Sequence, residues 1–360
     1  MERFTCKTNI LSGTGAVAAL GELSIRKLLL VTDPYFMKDG TAARIAGVSG
    51  AREVRIFSDV TPDPTVELAA RGAAVVRDFD PDTIVALGGG SAMDCAKAMA
   101  YFGSKTARLV AIPTTSGSGS EVTDFAILTH GDVKHPLVDG RLRPEMAILD
   151  SDLLKALPPT LIADSGFDVL THALEAYTAT GAGPITDALA ADAFGTAYRF
   201  LPASFGGDTA VRLQIHIAST MAGLAFTQAG LGLCHALSHS LGGMFHVPHG
   251  RLNAILLPAV IGLNATAASE KYARLARTAG LGGSADTMAV RNLKNALVRL
   301  RRELDLPATL QQAGIDPAAI RSKMAGIVSS TLADPCCRTN AILVEDFMVR
   351  QVLEEVMGRG

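Results

Sequence analysis

Four side chains, Asp168, His172, His235 and His249, combine types and spacings that suit a divalent metal. Asp168 and His172 lie four apart in the apolar run GFDVLTHALEAY, so on a helix both point to one face and can grip one ion. His235 and His239 repeat that spacing, in a stretch, HALSHSLGGMFHVPH, that His249 closes. One carboxylate and three imidazoles suit a borderline first-row cation, Fe(II) or Zn(II), with room for a substrate oxygen. A lone histidine on an apolar helix is more often a hydrogen-bonded core residue than a ligand. Here, however, His216, His235, His239, His246 and His249, five of the chain's eight histidines, crowd a stretch of mostly Gly, Ala, Leu and Ser, where buried imidazoles would find few local partners.

The elements that must position these residues change character near residue 150. Before it, short apolar, β-branched runs alternate with helical patterns: KLLLVTD (27–33), EVRIFSD (53–59), TIVALGGG (83–90), RLVAIPTT (108–115) and MAILD (146–150). Such runs read as buried parallel strands in βαβ units. After it, Ala- and Leu-rich helical patterns continue to the end, broken at Pro158, Gly181 to Pro184, Gly206, Pro248 and Pro307. The expected division is an α/β, Rossmann-like nucleotide-binding domain over 1–155 and an all-α metal and substrate domain over 156–360, with the reacting site in a cleft between them.

Two glycine segments compete to hold a nucleotide's phosphates. Gly13, Gly15 and Ala18 in SGTGAVAALG formally match the dinucleotide fingerprint, but only about ten residues separate Gly15 from the next strand, too few for the helix the fingerprint needs. We read this segment as a decoy. Gly88, Gly89, Gly90 and Ser91 follow the strand TIVAL and precede the helix SAMDCAKAMAYF, where a close backbone approach and free helix N-terminal NH groups favour a pyrophosphate. A second small-residue loop, TTSGSGSEVT (114–123), follows the next strand. Asp33, ending LLLVTD, could accept the ribose hydroxyls of an adenosine and would repel a 2′-phosphate, so NAD(H) is favoured over NADP(H).

Composition narrows the alternatives. A net charge of −2, with 48% hydrophobic and 19% charged residues, fits a compact enzyme, and no basic or basic-aromatic cluster points to nucleic acid. No uninterrupted apolar run reaches the roughly 18 residues of a membrane span, and the N-terminus has no secretory pattern. The five cysteines show no paired metal spacing, Cys336 and Cys337 being adjacent, which fits reduced thiols in a cytoplasm.

The motifs GGGSAMDCAKA, IPTTSGSGSEVT, DSGFDVLTHALEAY and GLGLCHALSHSLGGMFHVPHGRLNAILLP occur in order and at family spacing, and the chain resembles the iron-dependent (group III) alcohol dehydrogenases from end to end. Within them it is most similar to the propanol dehydrogenases of propanediol and ethanolamine utilisation, through FSDVTPDPT, AFTQAGLGL and the late RTN. The resemblance implies a dehydroquinate synthase-like fold, iron at Asp168, His172, His235 and His249, and a homodimer. It places nucleotide contacts on Asp33, Gly89, Gly90, Ser91, Asp94, Thr114, Thr115 and Ser118, and on Thr123 and Lys134, near which the GDVKHPL loop is short. Association with a bacterial microcompartment is a further expectation. Ser151, Asp164 and Ala341 depart from the usual residues, which are proline, Thr or Asn, and proline; none of them is a proposed ligand.

The implied reaction interconverts a small primary alcohol and its aldehyde, propanol-like and propanal-like, with NAD(H). A metal would promote loss of the hydroxyl proton, and His239, one helical turn beyond His235, is the first candidate to relay that proton, His246 the second. Besides histidine, only Arg199 and Arg212 are basic between Ala156 and Gly250, so an anionic substrate would lack its usual partners. This weighs against a dehydroquinate synthase-like lyase and leaves glycerol dehydrogenase-like polyol oxidation as the nearer alternative.

Overall fold

The computed structural model describes residues 4–131 and 133–358 and comprises two compact units, Thr5–Leu157 and the segment from Pro158 onwards. The first holds six parallel strands, β1 (Asn9–Gly13), β2 (Lys27–Val31), β3 (Glu53–Phe57), β4 (Thr83–Gly88), β5 (Arg108–Pro113) and β8 (Met146–Asp150), in the order β1-β8-β5-β4-β2-β3. An antiparallel hairpin, β6 (Phe125–His130) and β7 (Val133–Val138), stands apart from it. The helices of this unit are α1 (Pro34–Lys38), α2 (Thr41–Val48), α3 (Val66–Phe79) and α4 (Gly90–Gly103).

The five expected strands all form. They are apolar on both faces because both are covered. Leu29, Val31, Ile84, Ala86, Leu109 and Ala111 pack with α3 and α4 side chains, while Leu28, Leu30, Val85, Leu87, Val110 and Ile112 pack with Ile45 and Leu20 on the other side. β1 escaped the sequence reading because its residues are largely exposed and it pairs with β8 alone, so it lacks the buried apolar run. The hairpin escaped it because Pro136 sits in β7 and Phe125, Ile127 and Thr129 are only partly buried.

The strand order explains where a ligand can sit. From β2 the chain moves outward to β3, then returns to place β4 on the other side of β2 and continues to β5 and β8. The connections after β2 and β4 therefore diverge, which opens a crevice at the carboxyl ends of those two strands. Val31 is in register with Ala86, and Gly88 with Pro113, so the turns after β2, β4 and β5 lie side by side.

The second unit is helical: α5 (Pro159–Thr178), α6 (Pro184–Phe205), α7 (Arg212–Ala229), α8 (Leu233–Phe245), α9 (His249–Thr278), α10 (Asp286–Glu303), α11 (Pro317–Ala333) and α12 (Asp346–Val356). Pro159 and Pro184 occupy first helical turns, where a missing N–H costs nothing. From Ile162 to Thr178 nearly every residue of α5 is buried, against α6, α7 and α9. The α5–α9 approach is so close that a Cβ on Gly250 would lie 1.8 Å from the Asp164 carbonyl oxygen, so only glycine fits beside His249. α9 is long and apolar enough to cross a membrane, but 67% of that window is buried inside the fold, as in a core helix.

Candidate active site

α5 presents Asp168 and His172 one turn apart, α8 presents His235 and His239 likewise, and His249 is the first residue of α9. The three elements converge on one carboxylate oxygen. Asp168 Oδ1 lies 3.7 Å from His172 Nδ1, 3.7 Å from His235 Nε2 and 3.5 Å from His249 Nε2. Asp168, His235 and His249 offer ligand atoms that all lie within 4.8 Å of one another. His172 flanks this trio with its ring stacked on His235 (centroids 4.4 Å, 26°) and on Phe226 (4.4 Å, 20°).

These separations are too long for strong hydrogen bonds and close to the edge of a coordination tetrahedron, about 3.4 Å for bonds of about 2.1 Å. The clearest sign is His235 Nε2, which is buried without a hydrogen-bond partner although the residue is 1% exposed. A buried polar atom left so costs on the order of 1–3 kcal/mol unless something binds it. A cation on Asp168 and the imidazoles would satisfy it, so the donor set fits a metal. Without the ion, burial alone would raise the Asp168 carboxyl, but His172 and His249 reverse this and hold it well below the usual carboxylate range. Burial favours a neutral His235, but the Asp168 and Glu175 carboxylates override it and raise the ring to about 9. His249 is pushed well down, first by burial and then by the neighbouring imidazoles.

A second layer holds these groups, and the sequence reading missed it. Glu175 Oε2 accepts from His235 Nδ1 at 2.6 Å and from the Gly232 backbone N–H at 3.0 Å, while Oε1 accepts from the Cys234 N–H at 2.7 Å. Asn253 Nδ2 donates to Asp168 Oδ1 at 2.8 Å, and its own oxygen accepts from Ser238 at 2.5 Å. Spacing carried the signal. Glu175 follows Asp168 and His172 at i+7 and i+3, and Asn253 follows His249 at i+4, so each shares a helix face with a candidate ligand.

The two relay candidates separate. His239 Nδ1 lies 2.9 Å from Asp334 Oδ2 and its ring stacks on His249 (5.1 Å, 15°). With side chains 28% and 30% exposed, His239 and His249 form the open side of the cluster, whereas Asp168, His172 and His235 are at most 12% exposed. His246 is not brought in. It caps α8 in the left-handed conformation (φ 55°), exposed, and makes none of the ring or ion-pair contacts that join the others among the described residues.

In the α/β unit, the turns after β2, β4 and β5 meet. Asp33 does not end its strand but stands two residues beyond β2 as the N-cap of α1, with Oδ1 accepting from the Tyr35 and Phe36 N–H groups. Its other oxygen borders the Gly88 position, 3.7 Å from where a Cβ would be. Gly89 caps α4, and a side chain there would press on Thr115 Oγ1 at 3.2 Å; one on Gly90 would press on Ser118 at 3.3 Å. Thr114 is buried, and its N–H donates to the Gly88 carbonyl.

Thr123 is buried and Asp94 half-buried, and both are engaged in hydrogen bonds within the fold. The Asp94 carboxylate accepts from Ser120 Oγ (2.8 Å) and the Ile127 N–H (3.1 Å), and burial raises it against the pull of Lys97. Thr123 is fully buried, its hydroxyl and carbonyl both accepting from Lys97 Nζ. Lys97, unread in the sequence, is the hub: buried, lowered by that burial to about 8, it also reaches Ser120 Oγ and the Phe125 carbonyl. Lys134, on β7, pairs with Asp63 at 2.5 Å and lies close enough to Asp94 to influence it. The decoy segment fills its own anion site: the Gly15 and Val17 N–H groups both donate to the Asp150 carboxylate at 3.0 Å.

Residues 7–151 match the family described as iron-containing alcohol dehydrogenase, and residues 162–357 its C-terminal part, the Fe-containing alcohol dehydrogenase family, C-terminal. The chain belongs to the iron-containing alcohol dehydrogenase family. It is 38% identical to a 1-propanol dehydrogenase PduQ of Citrobacter freundii, over 99% of this chain and all of that protein. It is 37% identical to an NADPH-dependent butanol dehydrogenase of Clostridium saccharobutylicum, over 98% of this chain and 97% of that one. The iron-containing alcohol dehydrogenase of Thermococcus thioreducens superposes with a TM-score of 0.91 at 33% identity, covering 98% of this chain and 99% of that one. Like its family, this dehydrogenase is an alcohol-oxidising oxidoreductase, and the polyol-oxidising and lyase alternatives are not favoured.

Proposed function

We propose that this iron-containing alcohol dehydrogenase interconverts a short, uncharged primary alcohol and its aldehyde, propanol-like and propanal-like, with NAD(H). The observation that carries the reading is the Asp168 oxygen ringed by three imidazole nitrogens at 3.5–3.7 Å, one of them buried and unpartnered. Asp168, His172, His235 and His249 would hold Fe(II), with Zn(II) able to occupy the same donors. When bound, the ion supplies Lewis acidity that favours loss of an alcohol's hydroxyl proton. The side chains do the rest. Glu175 and Asn253 fix ligand orientation, and His239, held by Asp334 through Nδ1, keeps Nε2 available to pass a proton to solvent.

Nucleotide binding is proposed at the switch point, through Asp33, Gly89, Gly90, Ser91, Thr114, Thr115 and Ser118. Asp94, Thr123 and Lys134 support that surface from below or beside it. Asp33 keeps one carboxylate oxygen free of its capping bonds, which supports selection of NAD(H) by acceptance from ribose hydroxyls and repulsion of a 2′-phosphate. The relative named as NADPH-dependent makes this the point most worth testing. A homodimer in the cytoplasm, with association with a bacterial microcompartment, completes the proposal; the PduQ relatives supply its motivation.

Anaerobic purification with elemental analysis, followed by propanal reduction with NADH and with NADPH, tests the whole. One iron per chain and a clear NADH preference are expected. Equal rates with both cofactors would remove the Asp33 argument, and full activity in Asp168→Ala would remove the metal assignment.

A further inference from the structure

Behind His239 lies a second constellation that the alcohol chemistry uses only in part. Asp334 follows α11 and caps the 3-10 turn Pro335–Thr339, its Oδ1 accepting from the Cys336 N–H at 2.8 Å. Burial and the neighbouring Asp334 carboxylate both push the Cys336 thiol up. Asp334 Oδ2 meets His239 Nδ1 at 2.9 Å. One imidazole nitrogen, one carboxylate oxygen and one sulfur thus lie within 4.8 Å of one another, on side chains none of which is fully buried.

We propose that His239, Asp334 and Cys336 form a second metal site, selective for a thiophilic divalent cation of the zinc type. The donor set argues the selectivity. Asp168 and the three histidines around it supply nitrogen and oxygen only, and the nearby Cys234 sulfur is directed at Asn253. The second trio includes sulfur, which favours zinc over magnesium or calcium and leaves a fourth position for water. Tetrahedral edges of about 3.4–3.8 Å follow from Zn–N of about 2.0–2.1 Å and Zn–S of about 2.3 Å. The longer edges of the trio need to close by at most about 1.4 Å, on a short turn.

The protons balance simply. A carboxylate beside Nδ1 draws the imidazole proton to that nitrogen. On binding, that proton moves to Nε2, the thiol proton goes to solvent, and the cation takes the place of the His239–Asp334 hydrogen bond. Nε2 then carries a hydrogen and cannot accept one, so occupancy silences His239. Because the His239 and His249 rings are stacked at 5.1 Å, a cation here feels the first one and binds more weakly. The inhibitory consequence rests on the relay role proposed for His239; occupancy of the site does not.

The test uses the full-length protein stripped of metal and titrated with Co(II), then with Zn(II). Two equivalents per chain are expected, the second bringing the near-ultraviolet absorption of a thiolate bound to cobalt. Cys336→Ser should abolish that band and the second equivalent while keeping the first, which also reports that the variant is folded. Asp334→Asn should weaken the second equivalent at least tenfold. Saturation of the wild type at one equivalent, or a band that survives Cys336→Ser, overturns the proposal. With iron in the first site, zinc should inhibit propanal reduction in the wild type and not in Cys336→Ser. Binding without inhibition would support the site and remove the relay role of His239 instead.

Discussion

Asn253 donates its amide to the same Asp168 oxygen that three imidazoles surround, at 2.8 Å, while its own carbonyl is held by Ser238. The amide fixes the carboxylate's rotation and cannot compete as an anion. Removing such an orienting partner typically costs 10–100-fold in metal affinity. Asn253→Ala should therefore lower iron affinity by roughly that factor, read by competition with a chelator, while His172, His235 and His249 remain in place. Unchanged affinity would mean that helix packing alone positions Asp168.

The metal-free site makes a pH-dependent prediction with opposite signs for two measurements. The folded His235 value of about 9 lies above the ordinary 6.5. Its contribution to stability is thus fully present below about 6.5 and is lost as pH rises through 9. Metal binding must displace that proton, so affinity strengthens over the same interval, approaching tenfold per pH unit. Thermal unfolding of metal-free protein should show Tm falling from pH 6.5 to 9, while chelator competition shows tighter uptake. Metal affinity flat across this range would contradict a protonated His235.

Asp33 does two jobs that one substitution can separate. Its Oδ1 caps α1, worth about 1 kcal/mol, and its charge is assigned the choice of cofactor. Asparagine caps as well as aspartate but carries no charge. Asp33→Asn should leave Tm within about a degree or two and raise the NADPH-to-NADH ratio of kcat/KM by roughly tenfold or more, about 1.4 kcal/mol. Asp33→Ala should shift the ratio similarly and also destabilise. A ratio unmoved by Asp33→Asn would assign selectivity elsewhere.

Much of this site was legible from spacing because helices repeat every 3.6 residues and ligands one turn apart must share a face. Asp168 with His172, and the buried strand runs with their glycine turns, were readable for that reason. What stayed hidden depends on contacts between segments far apart in sequence. His239 is held by Asp334, 95 residues away, and Lys97 is anchored by atoms more than 20 residues on, pairings no local pattern encodes. His246 misled because histidine density says nothing about direction, and as a left-handed helix cap it is exposed rather than turned into the cluster.

Lys97 offers a stability test away from the metal. Its ammonium reaches Ser120, Thr123 and the Phe125 carbonyl and offsets the charge of the half-buried Asp94. Lys97→Met keeps the length but leaves those acceptors without their donor and the half-buried Asp94 carboxylate without its nearby positive charge. Leaving buried acceptors without their donor typically costs on the order of 1–3 kcal/mol. Denaturant unfolding should show that loss, with weakened nucleotide binding, and Asp94→Asn combined with Lys97→Met should recover part of it. A double variant no more stable than Lys97→Met would mean that the Asp94 charge is not what makes the lysine necessary.

His239 stands between the candidate iron ligands and solvent, its Nδ1 anchored and its ring 28% exposed, so its proposed role in the alcohol reaction is proton transfer rather than holding the iron. General acid–base groups contribute roughly 10²–10⁴-fold. A hydroxyl group reaching the open side of the cluster could also exchange with water directly, which sets the lower part of that range here. His239→Ala should then reduce kcat by about 10²-fold, keep one iron per chain and leave KM for propanal nearly unchanged. Added imidazole should restore part of the rate, because a small base can enter the space the side chain leaves. A structural role would instead lower iron content or Tm and show no such rescue, so the combination of retained metal and rescued kcat separates the two.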